Sequence, residues 1–159
     1  MLEIEKKYLV QNESWRDQIL DHKKIVQFYI SPKDSIPTIR LRTKGNKGYI
    51  TIKYPSVSAN ILARPEYEYE IPLSDVEAQK PSAIGRVIEK TRHKVRDEFG
   101  QIWDVDEFTS PSPGLVLAEI ELTDEAEHVK VPAWAGSEVT ADKRFSNQVM
   151  SYSEEMLFI

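Results

Sequence analysis

The stretch Leu2-Glu3-Ile4-Glu5-Lys6-Lys7-Tyr8-Leu9-Val10 alternates between apolar and charged side chains with a period of two. Its even positions are apolar except for Lys6, whereas Glu3, Glu5 and Lys7 occupy odd positions. Successive side chains of a β-strand point to opposite faces of the sheet, so this alternation predicts a strand with one apolar and one charged face.

The same alternation recurs further along the chain. In the segment 36–44, Ile39 and Leu41 oppose Arg40, Arg42 and Lys44. Together with the first strand, such segments predict about eight strands, with a hairpin turn at 44–48 and a second turn at 98–100. The seven further segments are 24–30, 36–44, 49–54, 64–71, 88–97, 102–108 and 115–122.

Helical periodicity is confined to short pieces of the chain. Trp15 and Ile19 share a helical face after a predicted cap at Asn12. Ser74 and Glu77 form a capping-box pattern, which predicts the start of a second short helix.

Two more helices are predicted in the last quarter of the chain. Thr123 is expected to cap a helix over 124–128, and Thr140 is expected to precede the last helix. We predict that this last helix is the longest, because four apolar residues recur there at helical spacing. They are Phe145, Val149, Tyr152 and Met156.

The length and the composition limit the classes of protein to consider. The chain has 159 residues, so residues 1–159 are predicted to form a single domain. It contains no Cys, which excludes disulfides, thiolate nucleophiles and cysteine-based zinc sites. Its three His residues lack ligand-like spacing, which argues against histidine-based metal chemistry. They are His22, His93 and His128.

The net charge argues against a protein that binds nucleic acid. Lys and Arg number 21 against 26 Asp and Glu, which gives a formal charge of −5, whereas domains that bind phosphate backbones are usually basic. No apolar run reaches membrane length, and no basic and apolar leader precedes the first strand. We therefore expect a cytoplasmic protein with neither a nucleic-acid nor a membrane partner.

The charged faces of the predicted strands hold nine acidic and ten basic residues. One interpretation is that they are the solvated faces of a two-layer sheet, which is common in antiparallel sheets. However, like charges two residues apart on one face repel each other, which favours a bound group that compensates them. The acids are Glu3, Glu5, Glu66, Glu68, Glu70, Asp104, Asp106, Glu119 and Glu121. The bases are Lys7, Arg40, Arg42, Lys44, Lys53, Arg64, Lys90, Arg92, Lys94 and Arg96.

The residue types indicate which groups would compensate these charges. Carboxylates without His or Cys favour Mg²⁺ or Mn²⁺, and Mg²⁺ is commonly bound by one or two carboxylates together with substrate phosphates. Arg40 and Arg42 would place two guanidinium groups side by side, in a geometry that matches phosphate oxygens. A polyphosphate with divalent metal ions would satisfy both sets of charges.

About eight strands can close into a barrel whose interior holds side chains or one small ligand. The predicted fold class is α+β, mainly antiparallel β: a closed eight-stranded tunnel-like barrel with a charged interior, flanked by short helices and a C-terminal helix. Its apolar exterior would be covered by the helices or by a second subunit. Tyr67, Tyr69 and Ile120 are the expected contributors to such a homodimer.

The order and spacing of these motifs resemble the CYTH superfamily, the triphosphate tunnel metalloenzymes, over nearly the whole chain. The N-terminal signature of that family, Glu-x-Glu-x-Lys, corresponds here to Glu3-Ile4-Glu5-Lys6-Lys7. The resemblance continues through Arg40-Leu41-Arg42, Thr51-Ile52-Lys53, Arg64-Pro65-Glu66-Tyr67-Glu68, Glu89-Lys90-Thr91-Arg92, Trp103-Asp104-Val105-Asp106, Leu117-Ala118-Glu119-Ile120-Glu121 and Asp142-Lys143-Arg144-Phe145.

This resemblance implies a tunnel that binds a triphosphate and one or two divalent metal ions, Mg²⁺ or alternatively Mn²⁺. It implies that Glu3, Glu5 and Glu119 bind one metal ion, and that Asp106 and Glu121 lie near a second. The implied phosphate-binding residues are Lys7, Arg40, Arg42, Lys53, Lys90 and Arg92.

Three further residues have open roles. Glu66 and Glu68 could orient the basic side chains instead of contacting a metal ion. Arg144 could either begin the last helix or belong to a lid that adds a phosphate-binding cation to the tunnel.

Members of the subgroup that the chain resembles are similar to inorganic triphosphatases. We therefore expect divalent-metal-dependent hydrolysis of a triphosphate, with inorganic tripolyphosphate giving pyrophosphate and phosphate. The expected catalytic residues are Glu5, Lys7, Glu68 and Glu121, of which Glu68 or Glu121 would accept the proton of the attacking water. The alternatives are a class IV adenylate cyclase, a nucleoside or thiamine triphosphatase, and a non-catalytic module that binds polyphosphate.

Overall fold

The computed structural model of this protein describes residues 2–56 and 62–154, which form nine strands and five short helices. The strands are β1 (Leu2–Val10), β2 (Ile19–Tyr29), β3 (Thr38–Lys44), β4 (Lys47–Lys53), β5 (Leu62–Ile71), β6 (Ile84–Arg96), β7 (Ile102–Ser110), β8 (Val116–Glu121) and β9 (Ala135–Glu138). The α-helices are α1 (Leu73–Gln79) and α2 (Asn147–Tyr152), and the 3-10 helices are Ser14–Gln18, Lys80–Ser82 and Lys143–Phe145.

Eight of these strands form a closed antiparallel barrel, which confirms the predicted architecture. They follow the order β5-β4-β3-β2-β6-β7-β8-β1, and β1 pairs back with β5, so that Glu3 lies opposite Arg64. The four-residue β9 lies outside the barrel and pairs with the end of β1, where Glu138 faces Tyr8. The sequence did not predict β9, because four residues are too few to show a clear alternation.

Apolar faces of the strands point out of the barrel, and loops and short helices cover a large part of them. One apolar cluster places Trp15, Trp103 and Trp134 against the outside of β1, β7 and β8. The Trp103 ring packs edge-on against Tyr8 and Trp134, with ring centroids 5.4 and 5.3 Å apart. The burial of these rings supplies hydrophobic stabilisation that a charged interior cannot provide.

Helix α1 covers the outside of β3 and β4. Its Val76 is buried with Phe28 and Leu41. A Cβ atom at Gly48 on β4 would lie 2.8 Å from Cγ2 of Val76, so the helix can pack this closely only because residue 48 has no side chain.

One end of the barrel interior is apolar instead of charged. Leu9, Phe108 and Leu117 lie on the same strand faces as the charged residues, and they pack with Phe145 of the C-terminal segment, here defined as residues 139–152. The C-terminal segment therefore packs across this end of the interior instead of covering the outside of the barrel.

Two strands are longer than the alternation predicted. β2 begins at Ile19 and not at residue 24, and β6 extends over 13 residues. The outer face of β6 has little apolar surface, but His93 there packs against Trp15 with ring centroids 5.1 Å apart. The His93 Nε2 atom also lies 2.6 Å from a carboxylate oxygen of Glu107, so polar contacts replace part of the missing apolar burial.

The prediction for the last helix was wrong in its length and its cap. α2 has six residues and α1 has seven, so α2 is not the longest described helix, and Met156 lies outside the described residues. Ser146 caps α2 by accepting a hydrogen bond from the backbone N–H of Val149 at 3.0 Å. Thr140 instead accepts the backbone N–H of Lys7 at 3.0 Å, which ties the C-terminal segment to β1.

Of the two other helix predictions, the helix over 124–128 is wrong, whereas the short helix near Ser74 is confirmed as α1 but has a different N-cap. Residues 124–128 form a turn, since the carboxylate of Glu127 accepts from both the backbone N–H and the hydroxyl of Thr123. Pro72 occupies the N-cap position of α1, so Ser74 lies inside that helix and does not cap it.

The exterior of the protein is relevant to two expectations, that it has no membrane partner and that it forms a homodimer. Among the described helices, none has the length and apolar character that crossing a membrane requires. Ile120 is only 5% exposed and belongs to the cluster around Trp103, so it cannot contribute to a subunit interface as predicted. Tyr67 and Tyr69 are exposed on the outside of β5.

Candidate active site

The charged strand faces point into the barrel and form a tunnel. Residues directly opposite in antiparallel strands share a face, and the strand register places Glu5 opposite Glu121 and Lys7 opposite Glu119. The structure brings together on these inner faces all of the predicted site residues except Arg144. They are Glu3, Glu5, Lys7, Arg40, Arg42, Lys53, Glu68, Lys90, Arg92, Asp106, Glu119 and Glu121.

Arg144 lies apart from this group. It belongs to the 3-10 helix Lys143–Phe145, its side chain is 67% exposed, and its guanidinium pairs with Asp142 at 2.7 Å. The same guanidinium lies over the ring of Phe145, 5.3 Å from the centroid.

On β6 and β7, acidic and basic groups satisfy each other. Oδ1 of Asp106 accepts a hydrogen bond from Arg92 Nε at 2.8 Å. Oδ2 accepts from Lys90 Nζ at 2.7 Å and from Arg92 Nη2 at 2.8 Å. Burial alone would raise the pKa of Asp106, but the two cations outweigh it and hold that pKa well below its usual range. Asp106 thus fixes the positions of both cations.

Lys90 is the most deeply enclosed cation of the tunnel. The side chains of Lys90 and Asp106 are each 1% exposed. Burial lowers the pKa of Lys90 to about 8 even though Asp106 favours its charged form. Its ammonium also contacts Oδ1 of Asn147 at 3.4 Å, so the C-terminal segment holds this cation together with β7.

Lys7 and Glu119 connect β1 with β8. The Lys7 ammonium lies 3.5 Å from Glu119 and donates to the backbone carbonyl of Phe145 at 2.9 Å. Glu119 also lies 3.4 Å from Nη2 of Arg92. Burial would raise the pKa of Glu119, but Lys7 and Arg92 lower it to about 2, so Glu119 is ionised at neutral pH.

The pKa of Glu5 is raised, whereas that of Glu119 is lowered. Burial first and then repulsion by Glu119 and Glu3 raise the pKa of Glu5 to about 8, with Lys53 and Lys7 acting in the other direction. The raised pKa means that Glu5 carries a proton at neutral pH. Glu121, opposite Glu5, also has a raised pKa, because of burial and the charges of Glu3 and Asp104.

Glu3 and Glu66 form a second pair of neighbouring acidic residues. Burial raises the pKa of Glu3, as does a hydrogen bond with Glu66, which in turn has a lowered pKa. The ammonium of Lys53 contacts Glu3 at 3.2 Å and Glu66 at 3.7 Å. One cation therefore serves two carboxylates here.

Arg42 and Arg40 reach towards one carboxylate on β5. Arg42 Nη2 donates to Oε1 of Glu68 at 3.1 Å, and Arg40 lies 3.8 Å from the same oxygen. The Thr51 hydroxyl donates to it at 2.8 Å. Burial and the neighbouring Arg40 lower the pKa of Arg42 to about 10. Burial would raise the pKa of Glu68, but Arg42 and Thr51 lower it.

Sequence reasoning missed two polar residues at the tunnel. Asn147 was missed because its partner Lys90 is far away in sequence. Gln27 lies on β2 opposite Arg42 and is completely buried. An inward-facing polar residue in a strand whose neighbours Ile25 and Tyr29 are apolar is the signal that could have identified it.

A cavity of about 670 Å³ adjoins the tunnel and shares Lys7, Lys53 and Arg64 with it. The cavity wall also includes Tyr54 and Val149. It is large enough for an organic group attached to a phosphate chain.

The carboxylates of the tunnel suit a divalent metal ion by their chemistry, although those that the structure describes are not arranged around one position. Within residues 2–56 and 62–154, no cluster of three or more His, Cys, Asp or Glu is already arranged around a common ion position. The chemistry nevertheless suits a hard divalent cation, because Glu3, Glu5 and Glu119 are oxygen donors whose mutual repulsion helps to keep Glu5 protonated. A divalent cation could replace that proton and relieve the repulsion.

Known proteins are similar to this chain in sequence and in fold. The CYTH domain model matches residues 1–150. The chain is 39% identical over 154 residues to an inorganic triphosphatase of Acetivibrio thermocellus, covering 91% of this chain and 90% of that protein. It is 36% identical over 156 residues to an inorganic triphosphatase of Nitrosomonas europaea, covering 96% and 99%.

Among solved structures, that of the inorganic triphosphatase NE1496 superposes with a TM-score of 0.69 at 33% identity and covers 95% of each chain. The closed barrel, the inward-facing charges and the match over nearly the whole chain agree with one another. The chain therefore belongs to the CYTH domain family.

Proposed function

We propose that this protein is an inorganic triphosphatase that hydrolyses tripolyphosphate to pyrophosphate and phosphate with the help of a divalent metal ion. The main support is the convergence of six basic residues on the inner faces of the barrel, next to a group of carboxylates. The names of two relatives that match over nine-tenths of the chain support the same activity. The basic residues are Lys7, Arg40, Arg42, Lys53, Lys90 and Arg92.

The basic residues would bind the phosphate chain and neutralise charge that develops on the transferred phosphoryl group. Arg42 would exchange its contact with Glu68 for phosphate oxygens, which carry more negative charge. Lys90 and Arg92 would remain held by Asp106 while their other N–H groups face the substrate.

Glu3, Glu5 and Glu119 would hold the metal ion, with Glu121 close to them on β8. When bound, Mg²⁺ or Mn²⁺ would supply charge neutralisation and acidify a water molecule. The resemblance to the CYTH superfamily implied that Asp106 lies near a second metal ion. We assign it instead to positioning Lys90 and Arg92, because hydrogen bonds from these cations already occupy both of its oxygens.

We assign the general base to Glu121 in preference to Glu68. Glu68 accepts hydrogen bonds from Arg42 and Thr51, and its lowered pKa makes it a weak base. Glu121 has a raised pKa and lies opposite Glu5, where it could accept a proton from an attacking water.

A second candidate is the hydrolysis of nucleoside or thiamine triphosphates. The observation that favours it is the 670 Å³ cavity next to the tunnel, whose wall includes the ring of Tyr54. Such a cavity could hold the organic group while the triphosphate lies among the basic residues. We retain the cytoplasmic location and the homodimer as proposals, with exposed Tyr67 and Tyr69 as the expected interface residues.

The test is a phosphate-release assay with tripolyphosphate, ATP and thiamine triphosphate, each with Mg²⁺, with Mn²⁺ and with EDTA. We expect the highest rate with tripolyphosphate and a loss of activity in EDTA. Activity that persists in EDTA would contradict the metal-dependent mechanism. Cyclic AMP as the main product from ATP would identify a cyclase, and tight tripolyphosphate binding without turnover would identify a binding module.

A further inference from the structure

Gln27 occupies an unusual position in the tunnel wall. In the register of β2 it lies directly opposite Arg42 on β3 and Ile88 on β6. Directly opposite residues of antiparallel strands point to the same face, so the Gln27 side chain lies on the inner side of the barrel. Its neighbours on this face include Arg40 and Lys90, on the adjacent strands β3 and β6. An uncharged amide thus lies among the cations that would bind phosphate.

Among the described residues, the Gln27 amide has no hydrogen-bond partner. The residue is 0% exposed, and neither its Oε1 nor its Nε2 forms a hydrogen bond with any part of the chain that the structure describes. The Nε atoms of Arg40 and Arg42 are likewise buried and unbonded within the described residues. Unpaired buried donors and acceptors destabilise a fold, and an apolar side chain of the same size would be more favourable here.

The present contact of Arg42 indicates when the Gln27 amide could gain a hydrogen-bond partner. Arg42 reaches Glu68 through Nη2, so its Nε plays no part in that ion pair. A phosphate chain carries more charge than one carboxylate and would draw the terminal nitrogens of Arg42 towards itself. The buried Nε–H then needs an acceptor from the protein, and the unbonded amide of Gln27 is on the residue directly opposite Arg42 in the strand register.

An amide also has the appropriate charge for this task. A carboxylate at position 27 would neutralise the guanidinium and weaken its attraction to phosphate. The carbonyl of an amide can accept the Nε–H while the guanidinium keeps its full charge.

We infer that Gln27 is a positioning residue for Arg42: when triphosphate binds, Oε1 of Gln27 accepts the Nε–H of Arg42, and both terminal nitrogens of Arg42 then bind phosphate oxygens. This inference rests on the proposed binding of a triphosphate in the tunnel. It assigns a role in substrate affinity to a residue that carries no charge and lies on a strand without a predicted site residue.

The first test is Gln27→Met, which keeps a similar volume and removes both polar atoms. We expect the KM for tripolyphosphate, and its Kd measured by calorimetry in EDTA, to rise about tenfold, which is typical for the loss of one hydrogen bond to a charged group. kcat should change less than KM, and the thermal unfolding midpoint should stay equal or rise. Ile25→Val, on the same strand face, is the packing control: its unfolding midpoint should fall while Kd and KM stay unchanged.

Gln27→Glu keeps the shape of the side chain but replaces the neutral amide with a carboxylate. We expect this variant to raise Kd more than Gln27→Met does, because the new carboxylate would pair with Arg42 in competition with phosphate. A Kd equal to that of the wild-type protein would overturn the argument that an uncharged acceptor is required.

A double-mutant cycle with Arg42→Lys tests whether Gln27 acts through Arg42, since Lys lacks the Nε–H of a guanidinium. We expect Gln27→Met to add less than a twofold change in Kd when Arg42 is already Lys. Independent, multiplicative effects, or a wild-type Kd in Gln27→Met, would overturn the inference. If the wild-type protein binds tripolyphosphate without hydrolysing it, the proposed enzymatic activity fails, while the calorimetric cycle still decides the role of Gln27.

Discussion

The two sides of the tunnel differ in how their polar groups are satisfied. In the paired wall, formed by β6, β7 and β8, Lys90 and Arg92 both contact Asp106, and Arg92 also contacts Glu119. The open wall, formed by β1, β2 and β3, contains the ion-paired Lys7 and Arg42, but also Glu5 with a raised pKa and the Gln27 amide, which has no partner among the described residues. This difference indicates that polar side chains that pair with each other hold the site in place, whereas polar side chains without a partner indicate where a ligand would bind.

The largest effect is expected from replacing the ionisable carboxyl group of Glu5, on the open wall, with an amide. Glu5→Gln should lower turnover of tripolyphosphate by more than about 100-fold, because it removes an expected metal ligand. The same change should stabilise the fold at alkaline pH. The pKa of Glu5 is near 8 in the folded protein against the usual 4.5, so between these values the folded state retains a proton that the unfolded state has lost. Its contribution to stability therefore falls as pH rises from about 4.5 to 8.

Urea unfolding in EDTA at pH 5 and pH 9 would measure this second effect. The urea midpoint of Glu5→Gln should exceed that of the wild-type protein at pH 9, and the difference should be smaller at pH 5. Equal midpoints at both pH values would contradict the assignment of Glu5 to the open wall.

On the paired wall, Asp106→Asn should have the opposite effect on stability. It leaves Lys90 and Arg92 buried without their carboxylate, and breaking a buried ion pair in this way typically costs about 3–5 kcal/mol. Asp104→Asn is the matched control, because Asp104 is half-buried and should cost about 1 kcal/mol or less. Chemical denaturation measures both variants, and similar losses in the two would remove the distinction between the walls.

The pH dependence of metal affinity would sharpen the comparison further. A cation that binds Glu5 must displace its proton, so the apparent affinity for Mg²⁺ should fall about tenfold for each pH unit below 8. Titrating Mg²⁺ by calorimetry at pH 6, 7 and 8 measures this slope. A half-saturating concentration that does not vary over this range would show that no proton is displaced on binding.

A smaller effect is expected where the open wall meets β5. Glu68→Gln removes the carboxylate that competes with phosphate for Arg42 and Arg40. Because this pair is only partly buried, we expect the KM for tripolyphosphate to fall by about two- to fivefold. An increase in KM would instead mean that Glu68 aligns the two guanidinium groups for binding.

The smallest effect is expected at Arg144, outside both walls. Its side chain is mostly exposed and pairs with Asp142, so Arg144→Ala should change KM and kcat by less than about twofold. Steady-state kinetics with tripolyphosphate measure this. A tenfold increase in KM would place Arg144 among the phosphate-binding residues, as the lid hypothesis requires.

The sequence predicted the barrel because the alternation of apolar and charged residues is a local property that can be seen in each long strand. The same alternation placed Glu5 and Arg42 on charged strand faces, and the resemblance to the CYTH superfamily implied that these faces line a tunnel. The sequence could not predict that Asp106 would be saturated by Lys90 and Arg92, because those contacts depend on the register between β6 and β7.

The C-terminal segment shows another limit of sequence reasoning. The spacing of Phe145 and Val149 correctly suggests a helix near α2 but says nothing about which surface it covers. Phe145 packs at the apolar end of the interior with Phe108 and with Leu9, and Leu9 is more than a hundred positions away in the sequence. Gln27 was overlooked for a related reason, because only three-dimensional packing reveals that its amide is buried and forms no hydrogen bond within residues 2–56 and 62–154.

The closed ladder of eight strands has a consequence for the behaviour of the protein at high concentration. Unpaired backbone groups along a strand invite intermolecular β-pairing, the first step towards amyloid-like aggregates. In the part of the chain that the structure describes, every barrel strand has hydrogen-bonded neighbours on two sides, and the sheet ends at the four-residue β9. Even a variant with a destabilised interior would thus offer incoming molecules only a short template while the barrel stays closed.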